Sequence, residues 1–256
     1  MPSQPSSRPP FRDRLLSGER LIGTFVKTPS PIIAEVLSLT GLDCLCFDAE
    51  HAPFDRSAID GALAMTRAAR MPALVRVPTA TTEHILNALD CGATGIVAPH
   101  IRNAAEAAAL ARACRYGAGG RGYAGSSRAA GYTGRSMAEH LARSAAETAV
   151  IAQIEDPEAV DDIDAIAAVD GIDALFVGRV DLTVAYGAAS QDDPRVTAAV
   201  ERICAAGMRH GRRVGMFLAR AGDAPLWSGR GASLFLLGSD HGFLLQGAAN
   251  LLAETR

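Results

Sequence analysis

Lysine is almost missing from this chain. Lys27 is the single one among 25 basic residues, so arginine carries nearly all of the positive charge. Formal net charge is -3, which leaves no global field to gather nucleic acid or an anionic membrane. The five cysteines (Cys44, Cys46, Cys91, Cys114 and Cys204) are an odd number with no C-x-x-C and no Cys/His cluster at zinc spacing. That pattern points to a reducing, cytoplasmic setting, with Cys44 and Cys46 as small core residues alternating along one strand. No apolar run approaches the ~18 to 20 residues of a membrane span, and the first residues lack the apolar core of a secretion signal.

What is present is a strong alternation. At 256 residues, 48% of them hydrophobic and 21% charged, the chain can bury a large core. Its opening MPSQPSSRPP is rich in proline and serine and predicts a disordered arm, which we extend over residues 1–19. Short apolar runs then predict strands at 21–26, 43–48, 73–77, 95–99, 150–155, 174–178, 213–218 and 233–238. Stretches of helical period predict helices near 31–39, 56–70, 82–90, 103–115, 157–168, 194–210, 221–229 and 241–254. Eight β-then-α units without a dividing linker predict an α/β fold, a (β/α)8 TIM barrel forming one domain over 20–256. Residues 117–148 interrupt the rhythm after the fourth unit. They predict an inserted turn and helix, of the kind that often covers a site.

Polar residues gather where the strands end. The stretch FDAEHAPFD places Asp48, Glu50 and His51 within four residues at the end of the second strand. Burying those groups costs free energy unless they have partners or a purpose. Arg76 lies in the third strand, Gln153 and Glu155 share a side at the end of the fifth, and Asp181 follows the sixth. In a barrel all of these strand ends open onto one face. Glu155 and Asp181 make a carboxylate pair suited to a hard divalent ion, although a helix N-cap is the simpler reading of Asp181 alone.

The segments FDAEHAP, RVP at 76–78, GIVAPHIRNAAEA, GGRGY, AQIED and GRVDLT, in this order, resemble the HpcH/HpaI aldolase family from about residue 20 to 250. The resemblance implies a divalent-metal TIM barrel (Mg²⁺, Mn²⁺ or Co²⁺) that cleaves a 4-hydroxy-2-oxo acid to pyruvate and an aldehyde. It also implies a homo-oligomer, a hexamer built from dimers. It assigns Glu155 and Asp181 to the metal, Arg76 to the 2-oxo acid, and His51 with Asp48 to an acid/base unit in which Asp48 orients the histidine. Glu50, Gln153, Gly178, Arg179 and Val180 would line or support the substrate site. One departure stands out: the family's G-P-x-D-L-S reads Gly178-Arg179-Val180-Asp181-Leu182-Thr183 here. Arg179 then either binds an acidic substrate tail or a neighbouring subunit, or is an exposed or ion-paired side chain. His100 is also unusual, and either lines the pocket or is a hydrogen-bonded structural residue. A decarboxylase built on the same site, and a metabolite-binding barrel without turnover, remain as alternatives. GAGGRG at 117–122 follows a helix rather than a strand, which removes a dinucleotide role and leaves it as a loop for a substrate carboxylate. RHGRR at 209–213 predicts a solvated helix end.

Overall fold

Each apolar run becomes a strand that pairs in parallel with the next, until the last closes on the first. The computed structural model describes residues 8–255. Its strands are β1 (Leu21–Val26), β2 (Cys44–Asp48), β3 (Ala73–Arg76), β4 (Gly95–Ala98), β5 (Ala149–Ile154), β6 (Ala174–Val177), β7 (Arg213–Leu218) and β8 (Ala232–Ser239). The result is a closed (β/α)8 TIM barrel.

Helices cover the outside. α1 (Phe11–Ser17) precedes β1, and α2 (Pro31–Ser38), α3 (Arg56–Ala68), α4 (Thr82–Asp90) and α5 (Ala104–Ala113) follow the first four strands. α6 (Met137–Glu147) lies just before β5, and α7 (Pro157–Asp161) and α8 (Ile163–Ala168) follow it. The predicted helix over 157–168 is thus two pieces, broken where Asp162 leaves helical geometry at φ -94° and ψ 13°. α9 (Arg179–Ala185) and α10 (Pro194–Arg209) follow β6, α11 (Ala224–Ser228) follows β7, and α12 (Asp240–Glu254) follows β8. Side-chain caps start several of them. Asp55, the last residue of FDAEHAPFD, accepts the Ala58 backbone N–H at 2.7 Å, so this carboxylate serves a helix start rather than chemistry.

Strand alternation divides the interior into two parts. Cys44, Cys46, Leu74, Val97, Ile151, Ala174 and Leu234 pack with Phe25 and Phe176 inside the barrel, while the other face of each strand packs under the helices. The same alternation carries Asp48 two residues beyond Cys46, Arg76 two beyond Leu74, and Gln153 two beyond Ile151. The C-terminal layer of the barrel interior is therefore polar.

Two expectations change here. The arm expected over 1–19 is shorter, because residues 11–17 form α1 and bury Phe11 and Leu15 against the barrel interior; the expectation for residues 1–7 lies outside the described residues. An apolar pair is what the open N-terminal end of a barrel needs as a plug. Phe11→Ala is expected to cost about 3 kcal/mol of stability in urea unfolding, the usual loss for a buried phenylalanine. A loss below about 1 kcal/mol would remove that role.

The second change concerns residues 117–148, which lead from α5 back to β5. An α-to-β connection lies at the N-terminal end of the strands, so this segment is on the face opposite the candidate site residues at the strand C-termini. GAGGRG lies in it, and Arg121 of that stretch bonds to Asp90 at the end of α4. It is therefore remote from any substrate carboxylate bound at the strand C-termini.

Candidate active site

Asp48 and Arg76 are register partners across β2 and β3, and this pairing organises the centre of the site. Asp48 is fully buried. Its Oδ1 accepts from Arg76 Nε at 3.0 Å, and its Oδ2 lies 2.8 Å from an Arg76 terminal nitrogen and 3.2 Å from Lys27 Nζ. Burial alone would push the Asp48 carboxyl up; Arg76, the His51 backbone N–H and Lys27 outweigh it and hold it below the usual range. The Arg76 guanidinium also stacks 4.5 Å from the Phe25 ring centroid, so its plane is held from two sides.

This geometry corrects the expected acid/base unit. Asp48 touches His51 through the backbone, accepting its N–H at 3.1 Å, and does not orient the imidazole. The His51 ring stands at the mouth with its side chain 55% exposed, and its Nε2 is 3.7 Å from Glu50 Oε2. The reason is commitment: both Asp48 oxygens already serve cations deeper in the barrel.

A second group of side chains faces that pair. Glu50 Oε2 is 3.3 Å from Arg76 Nε, and Glu50 Oε1 is 3.8 Å from His100 Nε2. Glu155 accepts the His100 backbone N–H at 2.8 Å and a very short bond from the Gln153 amide. Asp181 sits at the first turn of α9. Gly178 separates the two expected ligands: a Cβ there would stand 2.6 Å from Glu155 Cβ and 3.4 Å from Asp181 Oδ2. Only a glycine leaves that space open between the carboxylates.

These donors fit a divalent cation. Glu50, His100 and Glu155 offer ligand atoms within 4.8 Å of one another. Burial pushes both carboxyls above their usual range. For Glu155 the Gln153 amide and the His100 N–H and charge pull back while Asp181 adds to the rise, and for Glu50 Arg76 pulls back while Glu155 adds to it. Glu50 Oε2 and Gln153 Oε1 are buried without a hydrogen-bond partner among the described residues. Repelling carboxylates with spare oxygens are what a hard cation stabilises.

His100 stands beside Glu50 and Glu155 and is hydrogen-bonded as well, so it has features of both of its sequence readings. Its Nδ1 lies 3.0 Å from Asp156 Oδ2 and 3.4 Å from Glu155 Oε1, and its backbone holds φ at +54°. Burial favours the neutral ring, but Asp156, Glu155 and Glu50 outweigh it and raise His100 above its ordinary range. The remaining candidates line a cavity of about 450 Å³ with Phe25, Lys27 and His241. Val180 is exposed at its rim. Arg179 is buried rather than exposed, and it is ion-paired: its guanidinium lies 3.7 Å from Asp192 Oδ1 and 4.9 Å from the Trp227 ring centroid, and donates to the Gln191 carbonyl at 3.1 Å. Asp240 and His241 escaped the sequence reading. Asp240 accepts the Lys27 and Thr28 backbone N–H groups at 2.8 and 2.9 Å, tying the start of α12 to the end of β1. SLFLLGSD could have signalled this, since its aspartate directly follows a strand, at the same end of the barrel as Asp48.

Comparison with known proteins places this geometry. The sequence pattern of the HpcH/HpaI aldolase/citrate lyase family matches residues 21–246. A hydroxypyruvate/pyruvate aldolase of Paraburkholderia phytofirmans is 32% identical over 255 residues, 96% of this chain and 97% of the relative. A 5-keto-4-deoxy-D-glucarate aldolase of an Enterobacter species is 34% identical over 247 residues, 96% of this chain and 95% of the relative. The crystal structure of an HpcH/HpaI aldolase/citrate lyase family protein from Burkholderia cenocepacia superposes with a TM-score of 0.90 at 35% identity, over 96% of this chain and 98% of that one. Matched from the first strand to the last helix, the chain belongs to the HpcH/HpaI aldolase/citrate lyase family and is an enzyme of the aldolase/lyase type.

Proposed function

We propose that the protein is a divalent-metal-dependent aldolase that reversibly cleaves a 4-hydroxy-2-oxo acid to pyruvate and an aldehyde. The observation that carries this reading is Arg76, locked by buried Asp48, facing a carboxylate set that fits a cation. The names of the two aldolase relatives support it. Glu155 and Asp181 would hold Mg²⁺, Mn²⁺ or Co²⁺, with Glu50 and His100 beside them. A bound divalent ion would supply Lewis-acid stabilisation of the charge that develops on the C2 oxygen when the bond between C3 and C4 breaks.

The chain's own residues do the rest. Arg76 offers a fixed cation to the 2-oxo acid and needs no reorganisation as negative charge grows there. His51, exposed at the mouth and beside Glu50, takes the proton of the C4 hydroxyl as cleavage proceeds and returns it in the reverse direction. Gln153 holds Glu155, and Arg179 pins the segment around Gln191 at the edge of the cavity. His51→Ala is expected to keep metal affinity and lose about 10² to 10⁴-fold in cleavage rate. Parental cleavage by this variant would reassign the proton transfer.

The deciding assay is synthesis: pyruvate with a panel of aldehydes and Mn²⁺, following loss of pyruvate. A new hydroxy-oxo acid is expected, EDTA should stop it, and added metal should restore it. Release of carbon dioxide from an oxo acid with no aldehyde chemistry would replace this reading with a decarboxylase. Lys27 lines the cavity, so a Schiff-base route needs its own check. Borohydride with pyruvate is expected to trap no adduct on Lys27, and Lys27→Met should retain turnover. Trapping there, with turnover indifferent to EDTA, would overturn the metal mechanism.

The assembly in this reading is a homo-oligomer, a hexamer built as a trimer of dimers, supported by exposed Phe243, Leu244, Leu245, Leu251 and Leu252 on α12. A cytoplasmic location is supported by five buried, unpaired cysteines. No helix among the described residues is long and apolar enough to cross a membrane.

A further inference from the structure

The far end of the barrel holds a second cavity, of about 370 Å³. It is bounded by the C-terminal end of α3, by the residues leading into β3, β4 and β5, and by the 117–148 segment with α6. Every one of these boundaries belongs to the N-terminal face of the strands. The cavity is thus separated from the catalytic mouth by the length of the barrel.

Its lining is unusually cationic for a chain of net charge -3. Arg67, Arg70, Arg121, Arg128, Arg135 and Arg143 all border it, and Glu147 is the only carboxylate among the lining residues. Arg128 is paired with Asp60 and Arg143 with Glu147, and Arg121 reaches Asp90. Among the described residues no carboxylate pairs with Arg67, Arg70 or Arg135; Arg67 and Arg135 donate only to the Arg128 and Ala129 carbonyls. Three guanidinium charges therefore face one space without compensation.

Two buried donors make this a built site rather than a charged surface. Arg121 is 4% exposed, and its Nε, always protonated, has no hydrogen-bond partner among the described residues. Its plane is fixed by stacking 4.7 Å from the Tyr116 ring centroid. His140 is 3% exposed, and its Nδ1 also has no partner among the described residues. Its Nε2 lies 2.8 Å from the Tyr116 hydroxyl. When that hydroxyl donates to Nε2, the ring proton sits on Nδ1 and becomes a second unanswered donor. Buried donors in native proteins have partners, and here both line a cavity rich in positive charge.

We propose that this cavity binds a phosphoryl group, as free phosphate or as a small phosphate ester. A tetrahedral oxyanion presents acceptor oxygens in every direction. It can therefore meet guanidinium groups from α3, from the 117–148 segment and from α6 together with an imidazole N–H, which a planar carboxylate cannot do. The volume exceeds that of phosphate alone and admits a short organic tail. No part of this site is used in the aldolase reading, and the two stand or fall separately.

Calorimetry on the full-length protein at low ionic strength tests the assignment, with orthophosphate, glycerol 3-phosphate and malonate as probes, each with and without saturating pyruvate. One phosphoryl ligand per chain is expected, indifferent to pyruvate and weakened by added salt. Tighter binding of glycerol 3-phosphate than of orthophosphate would identify the ester, and equal affinity the free group. Arg70→Gln with Arg135→Gln, which leaves buried Arg121 in place, is expected to weaken binding at least tenfold while leaving turnover without phosphate unchanged. Three results would overturn the site: no binding heat, displacement by pyruvate, or affinity unchanged in the double variant. Malonate binding as tightly as phosphate would overturn the phosphoryl assignment.

Discussion

Replacing Glu155 with glutamine is expected to raise the melting temperature of the metal-free protein and to remove its stabilisation by Mn²⁺. Burial holds the Glu155 carboxyl above its usual range, so its folded form keeps the proton more tightly than the unfolded chain does. Such a group favours the folded state below the ordinary carboxylate range, and that contribution is lost as pH rises through the raised value. At neutral pH the ionised carboxylate therefore opposes folding. Glutamine is neutral, of the same shape, and can still accept the His100 N–H. With metal the order reverses: an ion at about 100 times its dissociation constant adds about 2.7 kcal/mol to the parent and little to the variant. Cleavage should fall by about 10³-fold or more, because the Lewis acid is worth several kcal/mol of transition-state stabilisation. Thermal scans with and without Mn²⁺ decide the matter. An equal rise in both proteins would place the ion elsewhere.

The second large effect is at Arg76. Arg76→Ala leaves Asp48 fully buried with only Lys27 and the His51 N–H as partners, and breaking a buried pair in this way costs about 3 to 5 kcal/mol. Asp48 is held below the usual range in the parent, so it contributes stability at neutral pH that fades as pH falls through its lowered value. The variant should lose that acid-limb dependence. Turnover should fall about 10² to 10³-fold through loss of a fixed charge at the reacting oxygen. The double variant Arg76→Ala with Asp48→Asn separates the two effects: stability should return and turnover should not. Recovery of both would make Arg76 a structural residue only.

Much of the fold was open to a reader of the residues because parallel strands and their helices carry separate periods. Runs such as DCLCFD and ALVRV are apolar on both faces, and the segments between them repeat near 3.6 residues. The short α1 was not legible. Seven residues, FRDRLLS, after a proline-rich opening are too few to show a period, and their burial depends on the open barrel end they plug. The position of residues 117–148 was misread for a related reason. Composition does not say at which end of a barrel a segment lies; its place after a helix and before a strand does.

The site divides in the same way. Candidate residues near their own strand ends, such as Arg76, Glu155 and Asp181, could be chosen from type and position, because the barrel carries all such ends to one face. Choice of partner could not be read. Asp48 is three residues from His51, yet its carboxylate turns to Arg76, 28 residues away, because alternation directs it into the barrel and the Asp48–Arg76 register places a guanidinium there. His100 entered the site through a backbone at positive φ, and Arg179 left the surface because Trp227 on a later helix offered it a face. By itself the sequence determined the β/α rhythm, the barrel and the residues at its C-terminal rim, since each of those is a local pattern. Only the tertiary structure decided which charge meets which, and where the arginines of α3, α6 and the 117–148 segment converge. Electrostatic partners are chosen by distance in space, and a single chain records only distance along itself.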